Sequence, residues 1–312
     1  MLTLGFDTSN YATSLAVFDT DAKEVVCAKK EFLPVKEGQR GLRQSEALFH
    51  HTVALPSLLG QMAAEVPLSQ VKAVGVSEKP RPADGSYMPC FLAGVNAASA
   101  AAGVHGVPLV RTTHQQGHVA AALYASQRWE LFHMPVLVFH ISGGTTDLLL
   151  CEGIEVKQTL GTSLDLYAGQ AVDRTGVRLG FPFPAGEQLS RLAAECPQQP
   201  RVKAVLNGMN CHLSGLENQC CALLEKGYPH AYVAKYCLCT VAETVFRMVE
   251  AAYAAGYHLP VVCAGGVMSS HIVRSYVTAR LRDVCFVPGQ FASDNAIGVA
   301  IIAAKEVGAW PM

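Results

Sequence analysis

His114 and His118 stand four residues apart in His-Gln-Gln-Gly-His. On a helix that spacing puts both imidazoles on one face, where they can share a metal ion. Ser293-Asp294-Asn295 precedes the last helical stretch, and Asp294 can add a carboxylate. Two imidazoles and one carboxylate leave positions open for a substrate oxygen, as a catalytic metal site needs. The plainer readings are two surface or capping histidines and an N-cap aspartate. Eleven histidines in 312 residues make a chance pair at this spacing ordinary, and the neighbours His50 and His51 cluster with no ligand pattern.

Three further segments suit a nucleotide. Ser142-Gly143-Gly144-Thr145 offers backbone N–H donors and small side chains, which a phosphate needs for close approach. Asp7-Thr8-Ser9 is an earlier polar turn without glycine. Val261–Ala264 is a buried strand running into Gly265-Gly266, a junction with room for an adenosine. Each alone reads as an ordinary turn. In this order they resemble the phosphate-1, phosphate-2 and adenosine segments of the actin, hexokinase and Hsp70 superfamily. That likeness implies an ATP or adenylate ligand in a cleft between two lobes.

The elements that must carry these residues follow from the sequence pattern. Strands are expected at Leu2–Phe6, Thr13–Phe18 and Val25–Phe32, the first two joined by the polar turn. Helical periodicity covers 42–64, with Pro56 inside it. Further strands are expected near 71–76 and 107–111. A helix over 91–102 is expected to end at Gly103, and another to cover 114–125. Strand, polar turn and strand then recur at 135–141 and 147–151, with a third strand at 154–160. Helices near 165–179, 186–195, 215–224 and 231–255 follow. A strand over 259–264, a helix over 269–281, a strand over 284–287 and a helix over 293–305 close the chain. The fold class is therefore α/β, a two-lobed actin-like architecture with duplicated mixed sheets flanked by helices. The first lobe is expected over 1–112, with the C-terminal helix, about 296–312, packing back on it; the second over 113–295.

Composition narrows the setting. Half the residues are hydrophobic, enough for two lobes, and the net charge of −1 announces no nucleic-acid binder by itself. The start MLTLGFDTSNY does not read as a signal peptide, and no long apolar run suggests a membrane span. Eleven cysteines without a CxxC zinc pattern read as reduced, buried thiols of a cytoplasmic protein.

Taken together, His114-x-x-x-His118, Ser142-Gly143-Gly144, Ala264-Gly265-Gly266-Val267 and Ser293-Asp294-Asn295 resemble the signature elements of the TsaD family, once called glycoprotease. Ala168–Thr175 and Leu213-Ser214-Gly215-Leu216 resemble two more, and the likeness runs in order from Leu2 to about Ala303. The resemblance implies an enzyme that moves a threonylcarbamoyl group from its adenylate to N6 of the adenosine beside the tRNA anticodon. It implies iron or zinc on His114, His118 and Asp294. It places Ser142, Gly143, Gly144 and Thr145 at the phosphates, and Asp173, Gly186, Gly265, Gly266 and Ser270 around the nucleoside, Ser270 standing where the family has Asn. It implies tRNA and protein partners, the latter docking on first-lobe helices such as 42–64; a homodimer is one such arrangement.

The chain departs from the family at several places. The family's first turn reads Glu-Thr-Ser-Cys-Asp-Glu-Thr; here it is Asp7-Thr8-Ser9-Asn10-Tyr11-Ala12-Thr13, and both downstream acids are gone. The family's Gly-Pro-Gly loop is replaced by 78–87, which brings Glu78 and Asp84. Asp7, Ser9 and Asp84 are the catalytic candidates that remain. Thr145 also stands where bacterial members often have His. These losses support a second reading, a nucleotide-binding paralogue that serves a partner without catalysing transfer. A metallopeptidase, a third reading, needs a glutamate beside the first histidine, and Gln115 and Gln116 stand there.

Overall fold

The computed structural model describes residues 1–9, 12–34, 42–291 and 296–308. The chain opens with strands β1 (Leu2–Ser9), β2 (Ala12–Asp19) and β3 (Glu24–Phe32) and helix α1 (Gln44–Glu65). Strand β4 (Val71–Lys79), helix α2 (Phe91–His105), strand β5 (Leu109–Thr113) and helix α3 (His114–Ala125) follow. Then come β6 (Pro135–Ile141), β7 (Thr146–Glu152), β8 (Glu155–Thr162), α4 (Ala168–Arg178) and α5 (Gly186–Ala194). The short pair β9 (Leu206–Asn207) and β10 (Asn210–Cys211) leads to α6 (Ser214–Glu225) and α7 (His230–Ala254). Last are β11 (Val261–Ala264), α8 (His271–Thr278), β12 (Val284–Phe286) and α9 (Ala296–Glu306). Among the described residues no helix is long and apolar enough to cross a membrane, and all eleven cysteines are free thiols.

The chain divides into two compact units. One holds Met1–Tyr124 with α9; the other begins at Ala125 and holds β6 to β12. The first sheet has the order β3-β2-β1-β4-β5 and the second β8-β7-β6-β11-β12. In each, the first three strands pair antiparallel and the last two add in parallel. The two hairpins visible in the sequence are thus the matching halves of a duplicated design. The division lies after Tyr124, where the sequence reading put it before residue 113. Helix α3 stays with the first unit because the Tyr124 ring meets Phe18 of β2 edge-on at 5.7 Å and Gly117 lies against α9.

Two expected helix ends move. Helix α2 runs past Gly103 to His105 and stops at Gly106, whose φ of 63° supplies the left-handed cap. The helix expected from Ser269 is split: Gly266–Ser269 is a 3-10 turn, and α8 starts at His271.

In the first unit the strand pleat sorts the hairpin residues onto two faces. Phe6, Leu15, Val17, Val74 and Val76 pack in a core with Leu55, Leu58 and Met62 of α1 and with α2. On the other face Thr3 donates its hydroxyl to the Ala300 carbonyl of α9 at 2.8 Å. In the second unit α7 runs through the core, with Val233, Cys237, Val241 and Val245 packed against Phe139, Leu148 and Cys263 of the sheet.

Candidate active site

Strand β5 ends at Thr113 and α3 begins at His114, with no residue between them. The junction is fixed by its own side chains. Thr113 Oγ1 accepts the Gln116 N–H at 3.2 Å. Gln116 Oε1 in turn accepts the hydroxyls of Thr112 and Thr113, at 3.2 and 2.9 Å. Gln116 is thus a capping residue and Gln115 is buried; neither is the base that a zinc peptidase uses beside its first histidine. The first turn of α3 presents His114 and His118 together, with ring centroids 4.6 Å apart.

Asp7, at the end of β1, is wholly buried. Its Oδ2 lies 3.0 Å from His114 Nδ1, and its Oδ1 accepts the Ser9 N–H at 3.0 Å. Burial pushes the carboxyl up, but the His114 charge and hydrogen bonding from His114, Ser77 and Ser9 together hold it below its ordinary value. The Ser77 hydroxyl sits close enough to Asp7 to act electrostatically, yet it meets no full hydrogen-bond geometry there. A carboxylate on one ring nitrogen fixes the tautomer and orientation of a metal-binding histidine. The donor set, two imidazoles on one helix face with a carboxylate behind the first, therefore fits an iron or zinc ion.

Glycines bring the start of α9 to this place. A Cβ on Gly298 would lie 1.8 Å from the Gly117 carbonyl oxygen, inside the His-x-x-x-His turn. A Cβ on Gly5 would lie 2.3 Å from the Ala296 carbonyl oxygen, and one on Gly75 2.6 Å from that of Val299. No side chain fits at these contacts. Asp294, the third expected ligand, lies outside the described residues, as do Asn10 and Tyr11. Among the described residues no group of three or more His, Cys, Asp or Glu is arranged to hold a metal.

The remaining acidic candidates sit differently. Glu78 accepts Arg111 Nη1 at 3.1 Å. Asp84 is exposed in the loop between β4 and α2. That loop sets out beside α3, because the Pro80 carbonyl accepts the Gln115 N–H at 3.0 Å.

In the second unit the turn 142–145 closes on itself. Ser142 N–H donates to the Thr145 carbonyl at 3.0 Å, and the two hydroxyls lie 2.8 Å apart. Gly144 N–H reaches Ser142 Oγ at 3.3 Å, and Thr145 Oγ1 lies 3.4 Å from His140 Nδ1. A Cβ at Gly143, Gly144 or Gly266 would meet nothing within 4 Å. Packing therefore does not demand these glycines; what they supply is open approach to the backbone.

Two other glycines are demanded. A Cβ on Gly169 would lie 2.4 Å from the Ser142 carbonyl oxygen, so the start of α4 rests on the turn. Gly265 has φ 103°, and a Cβ there would lie 2.1 Å from the Ile141 carbonyl oxygen. The strand-to-Gly-Gly junction and the 142–145 turn are thus neighbours. Ser270 and Ser190 hydroxyls pair at 2.8 Å, and Asp173 Oδ1 accepts the Ala185 N–H at 2.8 Å, just before Gly186. Burial raises the Asp173 carboxyl against the pull of the Ala185 and Gly186 N–H groups.

Sequence reasoning missed two residues. His51 adjoins His50 with no ligand pattern in the sequence, yet it lies in the buried stripe Ala47, His51, Ala54, Leu55, Leu58 and Met62 of α1. That helical period was the available signal. Asp165 opens the helix expected over 165–179, but α4 begins at Ala168. Asp165 instead caps α6, accepting the Leu213 N–H at 2.8 Å and the Ser214 hydroxyl at 2.6 Å. Burial would raise its carboxyl; the Ser214 hydroxyl and the surrounding N–H donors hold it far below the usual range.

The family model described as "TsaD: tRNA N6-adenosine threonylcarbamoyltransferase" matches residues 31–301. Among curated relatives, the tRNA N6-adenosine threonylcarbamoyltransferase of Streptococcus suis is 26% identical over 98% of this chain and 92% of its own length. That of Thermus thermophilus is 29% identical over 97% and 92%. Among solved structures, component A of the Acidaminococcus fermentans (R)-2-hydroxyglutaryl-CoA dehydratase superposes with a TM-score of 0.61 at 17% identity, covering 99% of both chains. A Streptomyces griseus ROK-family glucokinase, solved with glucose and AMPPNP, gives 0.55 at 13% identity, over 98% of this chain and 100% of its own. These structural likenesses show the fold, the actin-like one.

Proposed function

The chain belongs to the TsaD family of tRNA N6-adenosine threonylcarbamoyltransferases and is an acyltransferase of tRNA modification; from that premise we propose how its residues divide the work. The donor is threonylcarbamoyl-adenylate, and the acceptor is N6 of the adenosine beside the anticodon. N–H groups of the 142–145 turn take the phosphate, with Ser142 and Thr145 hydroxyls as added donors. Gly265, Gly266, Ser270, Asp173 and Gly186 surround the nucleoside.

His114, His118 and Asp294 hold iron or zinc, which when bound supplies Lewis-acid polarisation of an acyl oxygen. Asp7 orients His114 and stays out of reach of substrate. In the transfer, N6 forms a bond to the carbamoyl carbon, the bond from that carbon to the phosphate oxygen breaks, and the N6 proton must be removed. Tyr11 and Ala12 offer no carboxylate for it. The departing AMP phosphate is a base of suitable strength, and Asp84 is an exposed carboxylate of the loop between β4 and α2.

The observation that carries this reading is the bare-backbone contact of Gly298 with Gly117. It brings the helix that follows Asp294 against the turn bearing both histidines. The test is transfer from the adenylate to unmodified tRNA by wild type, His118→Ala and Ser142→Ala. Loss in both variants, with metal lost only from the first, supports the reading. Transfer unchanged in His118→Ala would sink it.

A second reading, a nucleotide-binding partner subunit, is favoured by the outer face of α1. Phe49 and Val53 there are 63% and 60% exposed, one turn apart, and suit a protein partner or a second copy. Tight ATP binding without any transfer by wild type would select that reading. Both readings place the protein in the cytoplasm, where free thiols persist.

A further inference from the structure

The loop between α4 and α5 holds an aromatic ring out in solvent. Both ends of the loop are fastened to α4. At its start the Phe181 N–H donates to the Gly176 carbonyl at 3.1 Å, and at its end the Ala185 N–H donates to Asp173 Oδ1 at 2.8 Å. A Cβ on Gly176 would lie 2.3 Å from Ala185 Cβ, so the closing end of the loop rests on the helix itself. Between the two fastenings stand Pro182, Phe183 and Pro184, all exposed. The Phe183 side chain is 75% exposed, and among the described residues no aromatic side chain is more so.

A lone exposed aromatic is ordinary; the setting marks this one. The prolines on either side fix their own φ angles and carry no N–H. With both loop ends fastened as well, the ring has little freedom left to lose on binding. Among the described residues no other ring or guanidinium lies against it. Arg178, in the last turn of α4, is exposed and forms no ion pair among the described residues. Arg174, one turn earlier, is by contrast held by Glu217 at 3.0 Å. An exposed ring and an unengaged guanidinium on the adjoining turn are the equipment of a single-stranded RNA site: the ring takes a base face and the cation a phosphate.

We propose that Phe183 is the stacking platform for an unpaired base of the tRNA anticodon loop, with Arg178 on a neighbouring phosphate. The inference deepens the transfer reading and rests on it for the identity of the RNA. Size argues against a protein partner. A stable interface covers about 800 Å² on each side, and one ring between two prolines offers little more than a single base face. The donor's own adenine fits poorly too, since a pocket encloses most of a small ligand and this ring stands out from its loop. Loop bases of an RNA hairpin are unpaired and can be turned outward, as stacking on a side chain requires.

The test uses the full chain and an unmodified tRNA transcript. Phe183→Ala should weaken tRNA binding about tenfold, while Phe183→Tyr, which keeps a π face, should stay within about twofold of wild type. Arg178→Gln should weaken binding severalfold and reduce the slope of log affinity against log salt by about 0.7. ATP affinity and Tm should be unchanged in all three variants, because both side chains are exposed. Anticodon stem-loops carrying 2-aminopurine at one loop position at a time report stacking directly. At one position the fluorescence should fall on binding wild type and stay level on binding Phe183→Ala.

Equal tRNA affinity in wild type and Phe183→Ala overturns the proposal, and leaves the transfer reading standing if wild type transfers. A fall in ATP affinity with tRNA affinity unchanged also overturns it and moves the ring to the donor's base. A changed oligomeric state in Phe183→Ala, again with tRNA affinity unchanged, puts the ring on protein and overturns it equally. If no 2-aminopurine position shows quenching that depends on Phe183, the contact lies outside the anticodon loop and the proposal falls. Weaker tRNA binding by Phe183→Ala, beside a wild type that binds tRNA and transfers nothing, upholds the stacking contact and removes the transfer reading instead.

Discussion

Replacing Gly298 by Ala tests the site where its two halves touch. The added methyl would stand 1.8 Å from the Gly117 carbonyl oxygen and 2.9 Å from Ala121 N, both backbone atoms of α3. No rotamer change relieves a clash between backbones. Reaching an ordinary contact of about 3.4 Å requires α3 and α9 to part by about 1.6 Å at that point. Helix α9 cannot slide away along the sheet, because Gly5 and Gly75 hold it equally close to β1 and β4. Overpacking of this kind costs about 1–3 kcal/mol, which for a chain of this size lowers Tm by roughly 2–4 °C per kcal/mol. The larger effect falls on metal binding. Coordination distances tolerate only about ±0.2 Å, so a parting several times larger should lower affinity by at least about tenfold. Metal content after dialysis against a weak chelator, measured beside Tm, checks both figures. Gly298→Ala with wild-type metal content and wild-type Tm would refute the claim that this contact holds α9 against the turn bearing His114 and His118.

Other predictions concern single groups. Asp7→Asn should lower metal affinity about 10–100-fold while tRNA binding persists, since it alters the group that orients His114; competitive chelator titration measures it. His51 should also weaken the fold in acid. Its folded pKa of about 4 lies below the unfolded value of 6.5, so below pH 6.5 the unfolded chain takes up a proton that the folded one refuses. Stability is then lost progressively from pH 6.5 to about 4, by about 3 kcal/mol in all. Asp7 and His50 act on the same ring, so the quantity to measure is the difference between wild type and His51→Phe by urea unfolding at pH 7.5 and 4.5. A difference that does not change with pH would refute it. Gly143→Ala should leave Tm within about 1 °C, because nothing lies within 4 Å of the added Cβ, yet it should weaken ATP binding about tenfold or more by blocking approach to the turn. Calorimetric titration with ATP decides; equal weakening from unfolding would show as a lower Tm.

Much of the fold was legible because hairpins and buried strands leave local marks. The repeated strand, polar turn and strand at 2–18 and 135–151 announced the duplication, and β-branched alternation marked the strands. Helix ends were harder. Gly103 looked like a cap, but a cap needs positive φ, and that falls to Gly106, three residues on. The site was legible where chemistry is carried by spacing, as in His114 and His118. It was not legible where it depends on closeness between distant segments. Gly5, Gly117 and Gly298 carry no local signal, since only the packed structure shows which glycines leave no room for a methyl. His51 was hidden for a related reason. A histidine inside an apolar helical stripe reads as core until its partner, Thr13, is seen 38 residues away.

The seamless passage from β5 into α3 has an evolutionary corollary. With no residue between Thr113 and His114, the turn that carries His114 and His118 inherits its place from the ladder pairing Val74 with Leu109 and Ser77 with Thr112. A single inserted or deleted residue between 109 and 118 would rotate the histidines by about 100° around the helix axis or flip the strand's faces. The loop after Lys79, by contrast, is largely exposed and can gain or lose residues without shifting that frame. Relatives that keep this chemistry should therefore vary freely in length over 80–89 and be gapless across the strand and turn that follow.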